Sequence, residues 1–145
     1  MPTPAYLSVA TVKSRIAEPM LVNFVKASGP ALDADLATLI VLKESVADGY
    51  ISSQYTTPLT GAASIAMVAE WVFALVQYDL HSRGAGSDVR EKVRMDYKDA
   101  MTMLRDVARG VSILPGEATT SGGSSFQAES DSPVFDWHDQ AAGTF

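Results

Sequence analysis

The sequence predicts an all-α protein of about five helices in a compact bundle, followed by an extended C-terminal arm. Three observations support this fold class. Apolar residues recur at three- and four-residue steps through most of the first 115 positions. Clusters of glycine, proline and serine divide that pattern into helix-sized pieces. After Pro115 the chain becomes rich in Gly, Ser and Thr and carries no positive charge.

The two N-terminal helices are predicted to be short. Ser8 is a suitable N-cap for the first, because its hydroxyl can accept a hydrogen bond from the unpaired amides of the first turn. Pro19 suits the first turn of the second helix, predicted over Met20 to Lys26 and ended by Ser28, Gly29 and Pro30.

A longer third helix is predicted to begin at Asp33 or Asp35 as the N-cap, and to be stopped by Thr57 and Pro58. Gly49 inside it predicts close packing or a local bend. Its inner stripe comprises Leu36, Leu39, Ile40, Lys43, Val46, Ala47 and Tyr50.

The fourth helix is predicted from Ile65 to about His81, with Ser64 as its cap, and it is apolar on nearly every side, which places it at the centre. Asp88 and Glu91 resemble a capping box that opens the fifth helix. Gly110 is predicted to end that helix. The inner stripe of the fifth helix is Val89, Val93, Ala100, Leu104 and Val107. The helical domain is therefore predicted over residues 1–115.

Composition excludes several classes of site. The 145 residues, 47% of them hydrophobic, suffice for one domain with a buried core. The chain has no cysteine and two histidines, which excludes disulfides and thiolate zinc sites and makes an imidazole-rich metal site unexpected.

The start, MPTPAYLSVATVKSR, does not have the pattern of a secretory signal. The apolar stretch Ala62 to Val76 contains Glu70 and is shorter than the roughly 20 residues of a bilayer span, so no membrane contact is expected.

The net charge of -6 is unevenly distributed. All 11 Lys and Arg lie before Pro115 with 12 of the 17 Asp and Glu, so the body is nearly neutral and the arm, residues 116–145, is acidic. The arm is predicted to be flexible and to repel phosphates. Large apolar residues return within it and indicate a partner-binding segment: Phe126, Pro133, Val134, Phe135, Trp137 and Phe145. They either fold back on their own domain or dock on another subunit or protein.

No catalytic constellation is predicted. Asp79, His81 and Ser82 are the residue types of a hydrolytic triad, but neighbours on a helix point in different directions, so a small hydrolase is disfavoured. The acidic group Asp96, Asp99 and Asp106 has basic neighbours, which is typical of a solvated helix face rather than a metal site. We therefore expect a non-enzyme without cofactors.

Two other groups have the residue types of nucleic-acid contacts. Arg90, Arg94 and Lys98 on the fifth helix are candidates for weak contacts with DNA in a channel, or for the basic face of a helical nucleic-acid-binding regulator, which is the alternative function. Four tyrosines are interpreted as packing residues rather than a base-stacking platform: Tyr50, Tyr55, Tyr78 and Tyr97.

Several short motifs occur in an order that is similar to a known family. They are Asp48-Gly49-Tyr50-Ile51 with Tyr55 and Pro58-Leu59, Val76-Gln77-Tyr78-Asp79-Leu80-His81, Tyr97-Lys98-Asp99-Ala100, Leu104-Arg105-Asp106-Val107-Ala108-Arg109-Gly110, and Ile113-Leu114. From Tyr6 to about Leu114 the chain resembles the Mu-like phage family of small helical head-to-tail connector proteins. It departs from the family at Ala27-Ser28-Gly29-Pro30, where the usual turn is acidic.

The resemblance implies a structural virion protein of the neck, assembled in the host cytoplasm. Its implied partners are the portal protein, tail-side connector or tail terminator proteins, and further copies of itself in a ring that copies the portal's twelvefold symmetry. Such a ring joins the DNA-filled head to the tail and touches genomic DNA only non-specifically.

Overall fold

The computed structural model describes residues 2–84 and 89–120, and five helices account for most of them. Within these residues no β-strand forms, and one isolated antiparallel bridge joins Tyr55 to Thr119. The predicted all-α fold is confirmed. The helices are α1 (Val9–Arg15), α2 (Glu18–Val25), α3 (Gly29–Ile51), α4 (Ala62–Ser82) and α5 (Glu91–Ala108).

The beginnings of α1 and α2 follow the local sequence. The Ser8 hydroxyl accepts a hydrogen bond from the Thr11 amide at 3.1 Å, as predicted for an N-cap. Pro19 lies in the first turn of α2, where its missing amide hydrogen costs nothing. Helix α2 ends where Lys26 adopts a left-handed conformation with φ of 61°.

Helix α3 begins earlier than predicted. Ser28 is its N-cap and Pro30 lies in its first turn, so the pair Gly29-Pro30 opens this helix instead of ending the previous one. Asp33 and Asp35 are therefore not caps, and the Asp33 carboxylate instead pairs with Lys13 at 3.0 Å. Of the two alternatives predicted at Gly49, close packing does not occur, because no atom lies within 4 Å of the position its Cβ would take.

The inner stripe of α3 contains a carboxylate. Leu36, Leu39, Ile40 and Ala47 are buried as predicted, whereas Val46 is exposed. Lys43 is only half-buried and its Nζ lies 2.9 Å from the Asp79 carboxylate. The buried position beside it is taken by Glu44.

Helix α4 is the central helix and packs against α2, α3 and α5. By length and composition alone it could cross a membrane, but its packing among three other helices supports the prediction of a core helix. Gly61 is its N-cap, so Ser64 lies in the first turn and is not the predicted cap.

Helix α5 has the predicted inner face and the predicted end. Val89, Val93, Ala100, Leu104 and Val107 are all buried. The helix begins after Arg90, which makes no side-chain cap, and Asp88 lies outside the described residues. Gly110 adopts φ of 74°, while its amide and that of Val111 bond back to Val107 and Asp106 in a Schellman motif.

The segment before α1 is held to α3 by the carboxylate of Glu44. This carboxylate accepts hydrogen bonds from the amides of Ala5 at 2.8 Å, Tyr6 at 2.7 Å and Leu7 at 2.9 Å. Only 4% of Glu44 is exposed. A buried carboxylate is tolerated when charge-assisted hydrogen bonds replace its water, as these three do.

The Tyr6 hydroxyl extends this attachment to the loop before α4. It donates to Asp48 at 2.6 Å and accepts from the Leu59 amide at 3.1 Å. Burial and the Asp48 carboxylate raise the pKa of Tyr6 far above its ordinary value, so the hydroxyl stays protonated and remains a donor. The N-terminal segment, α3 and the following loop are thereby joined at one point.

Replacing Glu44 tests this attachment. In Glu44→Ala three inward-facing amides lose their acceptor, and we expect the free energy of unfolding to fall by about 3 kcal/mol, measured by urea denaturation. Asp35→Ala removes an exposed carboxylate of the same helix and should change it by no more than about 0.5 kcal/mol. Equal stability of the two variants would contradict the role assigned to Glu44.

Candidate docking surfaces

Two exposed aliphatic side chains form what we call the end patch, Val111 and Ile113, just beyond α5. They are 73% and 75% exposed. The backbone beneath them is held on both sides: the Val111 amide donates to Asp106 at 2.9 Å, and the Leu114 amide donates to the Tyr55 hydroxyl at 3.1 Å. Apolar side chains presented outward on a fixed backbone are a preorganised contact for a partner.

Sequence reasoning missed the end patch as a contact surface, and took Ile113 only as part of a motif. A signal was present, because a helix stop ends the stripe of buried positions. Val111 and Ile113 are large aliphatic residues directly after the stop at Gly110.

Residues 117–120 lie against the loop that precedes α4. One carboxylate oxygen of Glu117 accepts hydrogen bonds from the Thr60 amide at 2.9 Å, the Gly61 amide, and the Ser64 hydroxyl at 2.6 Å. The Thr120 amide donates to the Gln54 carbonyl at 2.8 Å. The division of the chain at residue 115 stays a prediction, although the described chain remains in contact with the helical body as far as Thr120.

Gly61 makes the contact with Glu117 possible. A Cβ at this position would lie 3.0 Å from both the Glu117 carboxylate oxygen and the Ser64 hydroxyl. These three hydrogen bonds lower the pKa of Glu117, and the bond from Ser64 has the largest effect. Gly61, the N-cap of α4, has no side chain that could accept a hydrogen bond from the amides at the start of the helix. The side-chain carboxylate of Glu117 supplies an acceptor there instead.

Two adjoining grooves run between α4 and α5. The first, which we call the acidic groove, has a volume of about 480 Å³ and a floor that includes Trp71, Ala74 and Met103. Its rim carries three carboxylates, those of Glu70, Asp96 and Asp99, against Arg15 and Lys92.

The second groove, which we call the basic groove, has a volume of about 390 Å³ and is closed on one side by the chain between α1 and α2. Its apolar lining includes Ile16, Met20 and Val93, and its rim includes Arg90 and Lys92. No Asp or Glu is among the described residues that line it. The two grooves share Arg15, Gln77 and Lys92. They differ in charge, because carboxylates are present on the rim of the first groove and absent from the described lining of the second.

Arg15 forms the boundary between the grooves. Its guanidinium donates to Glu70 at 2.9 Å and lies 4.8 Å from the centre of the Phe73 ring. The hydrogen bond between them raises the pKa of Arg15 and lowers that of Glu70. The end of α1 is thereby fastened to α4 by an ion pair and a cation–π contact.

The three residue types of a hydrolytic triad do not converge. The Asp79 carboxylate binds Arg83 Nε at 2.7 Å, besides Lys43, and the Ser82 hydroxyl donates to the backbone carbonyl of Asp79 at 2.7 Å. His81 instead packs on Phe24, with 4.8 Å between ring centres. Burial and the nearby Arg90 lower the pKa of His81, so its imidazole is neutral at pH 7.

The predicted DNA-contacting residues follow one another at four-residue steps along the first part of α5, and their contact with DNA stays a prediction. Arg90 is at the rim of the basic groove, whereas Arg94 lies 3.8 Å from Glu91 and Lys98 is exposed on α5. Asp96 pairs with Lys92 at 2.7 Å, and no group of three metal-ligating side chains occurs among residues 2–84 and 89–120.

The four tyrosines named above are packing residues, as interpreted from the sequence. Tyr78 and Tyr97 stack with ring centres 4.3 Å apart, Tyr55 is 3% exposed, and Tyr50 packs against the core. The predicted partner-binding residues of the arm all lie outside the described residues: Phe126, Pro133, Val134, Phe135, Trp137 and Phe145.

The fold and these surfaces define a small all-α protein in which preorganised contact surfaces, rather than an assembled catalytic group, stand out among the described residues. The chain belongs to the family of bacteriophage Mu Gp36, whose model matches residues 6–129. No curated protein and no solved structure matches it. The resemblance to a Mu-like phage protein is thus confirmed, and the family indicates a phage structural or morphogenesis protein, associated with the virion and assembled in the host cell.

Protonation of Glu117 should be visible at the amides that it holds. Because its pKa is lowered in the folded protein, the contact is present at neutral pH and is lost as the pH falls through that lowered value. We expect the nuclear magnetic resonance signals of the Thr60 and Gly61 amides to titrate together, with a midpoint below that of an ordinary glutamate. Glu117→Gln should abolish the titration, and amides that do not respond to pH would rule out the contact.

Proposed function

We propose that this protein is a head-to-tail connector, or adaptor, that forms a ring on the portal and joins the DNA-filled head to the tail. The observation that carries the proposal is the match to the Mu Gp36 family over residues 6–129, which include all five helices. The motif resemblance adds the connector role and the twelvefold ring. In this role the protein acts mechanically and needs neither catalysis nor a cofactor.

The end patch supports an assembly role. Val111 and Ile113 lie on a backbone that hydrogen bonds hold in place, so a partner would bury them with little loss of conformational freedom. In a closed ring every subunit repeats the same contact, and many modest contacts add to a stable joint. We assign the end patch to the portal or to the neighbouring subunit.

The charges on α5 support at most weak contact with DNA. Lys98 is exposed, but Arg94 is beside Glu91, and Asp99 is exposed on the same helix. A mixture of charges binds phosphates weakly, and weak binding suits a channel through which a genome must slide. A regulator that holds duplex DNA would need a more uniformly basic face.

Charge insertion into the end patch tests the assembly role. In particles that carry Val111→Asp together with Ile113→Asp, we expect DNA-filled heads and free tails in place of joined particles, seen by electron microscopy. Both side chains are exposed, so the isolated variant should unfold at the same temperature as the natural chain. Leu42→Asp, an exposed apolar residue of α3 at 56%, is the matched control and should leave particles joined.

The location of the natural chain tests the function itself. Density for the chain in a ring below the portal, with Phe135 and Trp137 buried against a neighbour, would support the connector. Absence from purified particles, together with duplex DNA binding that weakens steeply with salt, would instead support the nucleic-acid-binding regulator.

A further inference from the structure

The basic groove has the composition of a receptor for an acidic, aromatic peptide. Its apolar lining includes Ala17 and Met20, which are exposed, above Ile16 and Val93, which are nearly buried. Met20 is 38% exposed although it lines a concave surface. Arg90 on the rim forms no ion pair within the described chain, and its field contributes to lowering the pKa of His81 beside it.

One segment of the chain outside the described residues has the complementary composition. Residues 133–137 are Pro-Val-Phe-Asp-Trp, in which a carboxylate stands between two large aromatic side chains. In an extended chain Phe135 and Trp137 point to one side and Asp136 to the other. Both rings can then face the apolar lining, and the outward-facing carboxylate is still within the range of electrostatic attraction of Arg90 at the rim.

The length of the connecting chain allows this contact within one subunit. The last described residue, Thr120, is bonded to Gln54 at the end of the body where α5 finishes. The basic groove lies near the start of α5, about 24 Å away along the helix axis, from the rise of 1.5 Å per residue. The stretch from Thr120 to Pro133 spans up to about 43 Å when extended.

We propose that, in the free subunit, residues 133–137 occupy the basic groove of their own chain. Attachment to the same chain gives the segment a high effective concentration at the groove, which a second copy in dilute solution does not match. The acidic groove is not the receptor, because its cations Arg15 and Lys92 are already paired with Glu70 and Asp96, and its exposed Asp99 repels the Asp136 carboxylate of the segment. This inference does not depend on the connector role.

Disulfide trapping in the full-length protein tests the proposal, since the chain has no cysteine of its own. The pair Met20→Cys with Phe135→Cys should form an intrachain disulfide when oxidised at low protein concentration, detected by peptide mass spectrometry and by mobility on non-reducing gels. The control pair is Met67→Cys with Phe135→Cys.

Met67 is a stringent control. It is 36% exposed, close to the value for Met20, and it lies in the half of α4 nearer to Gly61, where Glu117 is bound. Random collisions of the connecting chain would therefore favour Met67. We expect the pair with Met20 to form its disulfide at least about tenfold faster, as expected for an effective concentration set by docking.

Charge reversal makes the test specific to the rim. Arg90→Glu in the Met20 pair should slow disulfide formation several-fold, and adding Asp136→Arg should restore the rate. Equal rates for the Met20 and Met67 pairs would overturn the proposal. So would disulfides that form only between chains, which would assign the groove to a segment of a second copy.

Discussion

The hydrogen bonds from the amides of residues 5–7 to Glu44 are the constraint on which the other contacts depend. They fix the chain ahead of α1 and so hold Tyr6 where its hydroxyl reaches Asp48 and Leu59. Helix α1 has seven residues, too few to be stable alone, and it keeps its place because both of its ends are fastened. The far end is Arg15, bound to Glu70 on α4. A buried carboxylate thus contributes to the placement of Arg15, which lines both grooves.

The helical body presents its contacts on rigid supports, which suits a part of a larger assembly. The end patch stands on a backbone fixed by Gly110 and Tyr55, and Glu117 fastens the chain beyond it to the start of α4. A rigid contact surface loses little conformational entropy on binding. In the proposed ring, this rigidity would let identical subunits make identical contacts, while the segment at residues 133–137 would be available for exchange between its own groove and a partner.

Local sequence predicted several helix ends correctly where the determinant lies within one turn of the helix. Ser8, Pro19 and Gly110 acted as expected because capping and stop signals involve atoms a few residues apart. The start of α3 was misplaced because Gly29-Pro30 can both end one helix and open the next. Glu44 was missed although it stands four residues after Ile40 and three before Ala47, on the buried stripe, because a carboxylate is ordinarily solvated.

Periodicity and motif order in the sequence were enough to predict the five helices of the described residues, the central position of α4, the inner face of α5 and membership of a Mu-like phage family. The partners of Glu44 and Glu117 and the opposite charge of the two grooves became known from the packing of the helices. Tyr6 and Glu44 are 38 positions apart, and Gly61 and Glu117 are 56 apart. The packing of the helices determines which charged groups become neighbours over such separations. A local sequence pattern does not contain this information.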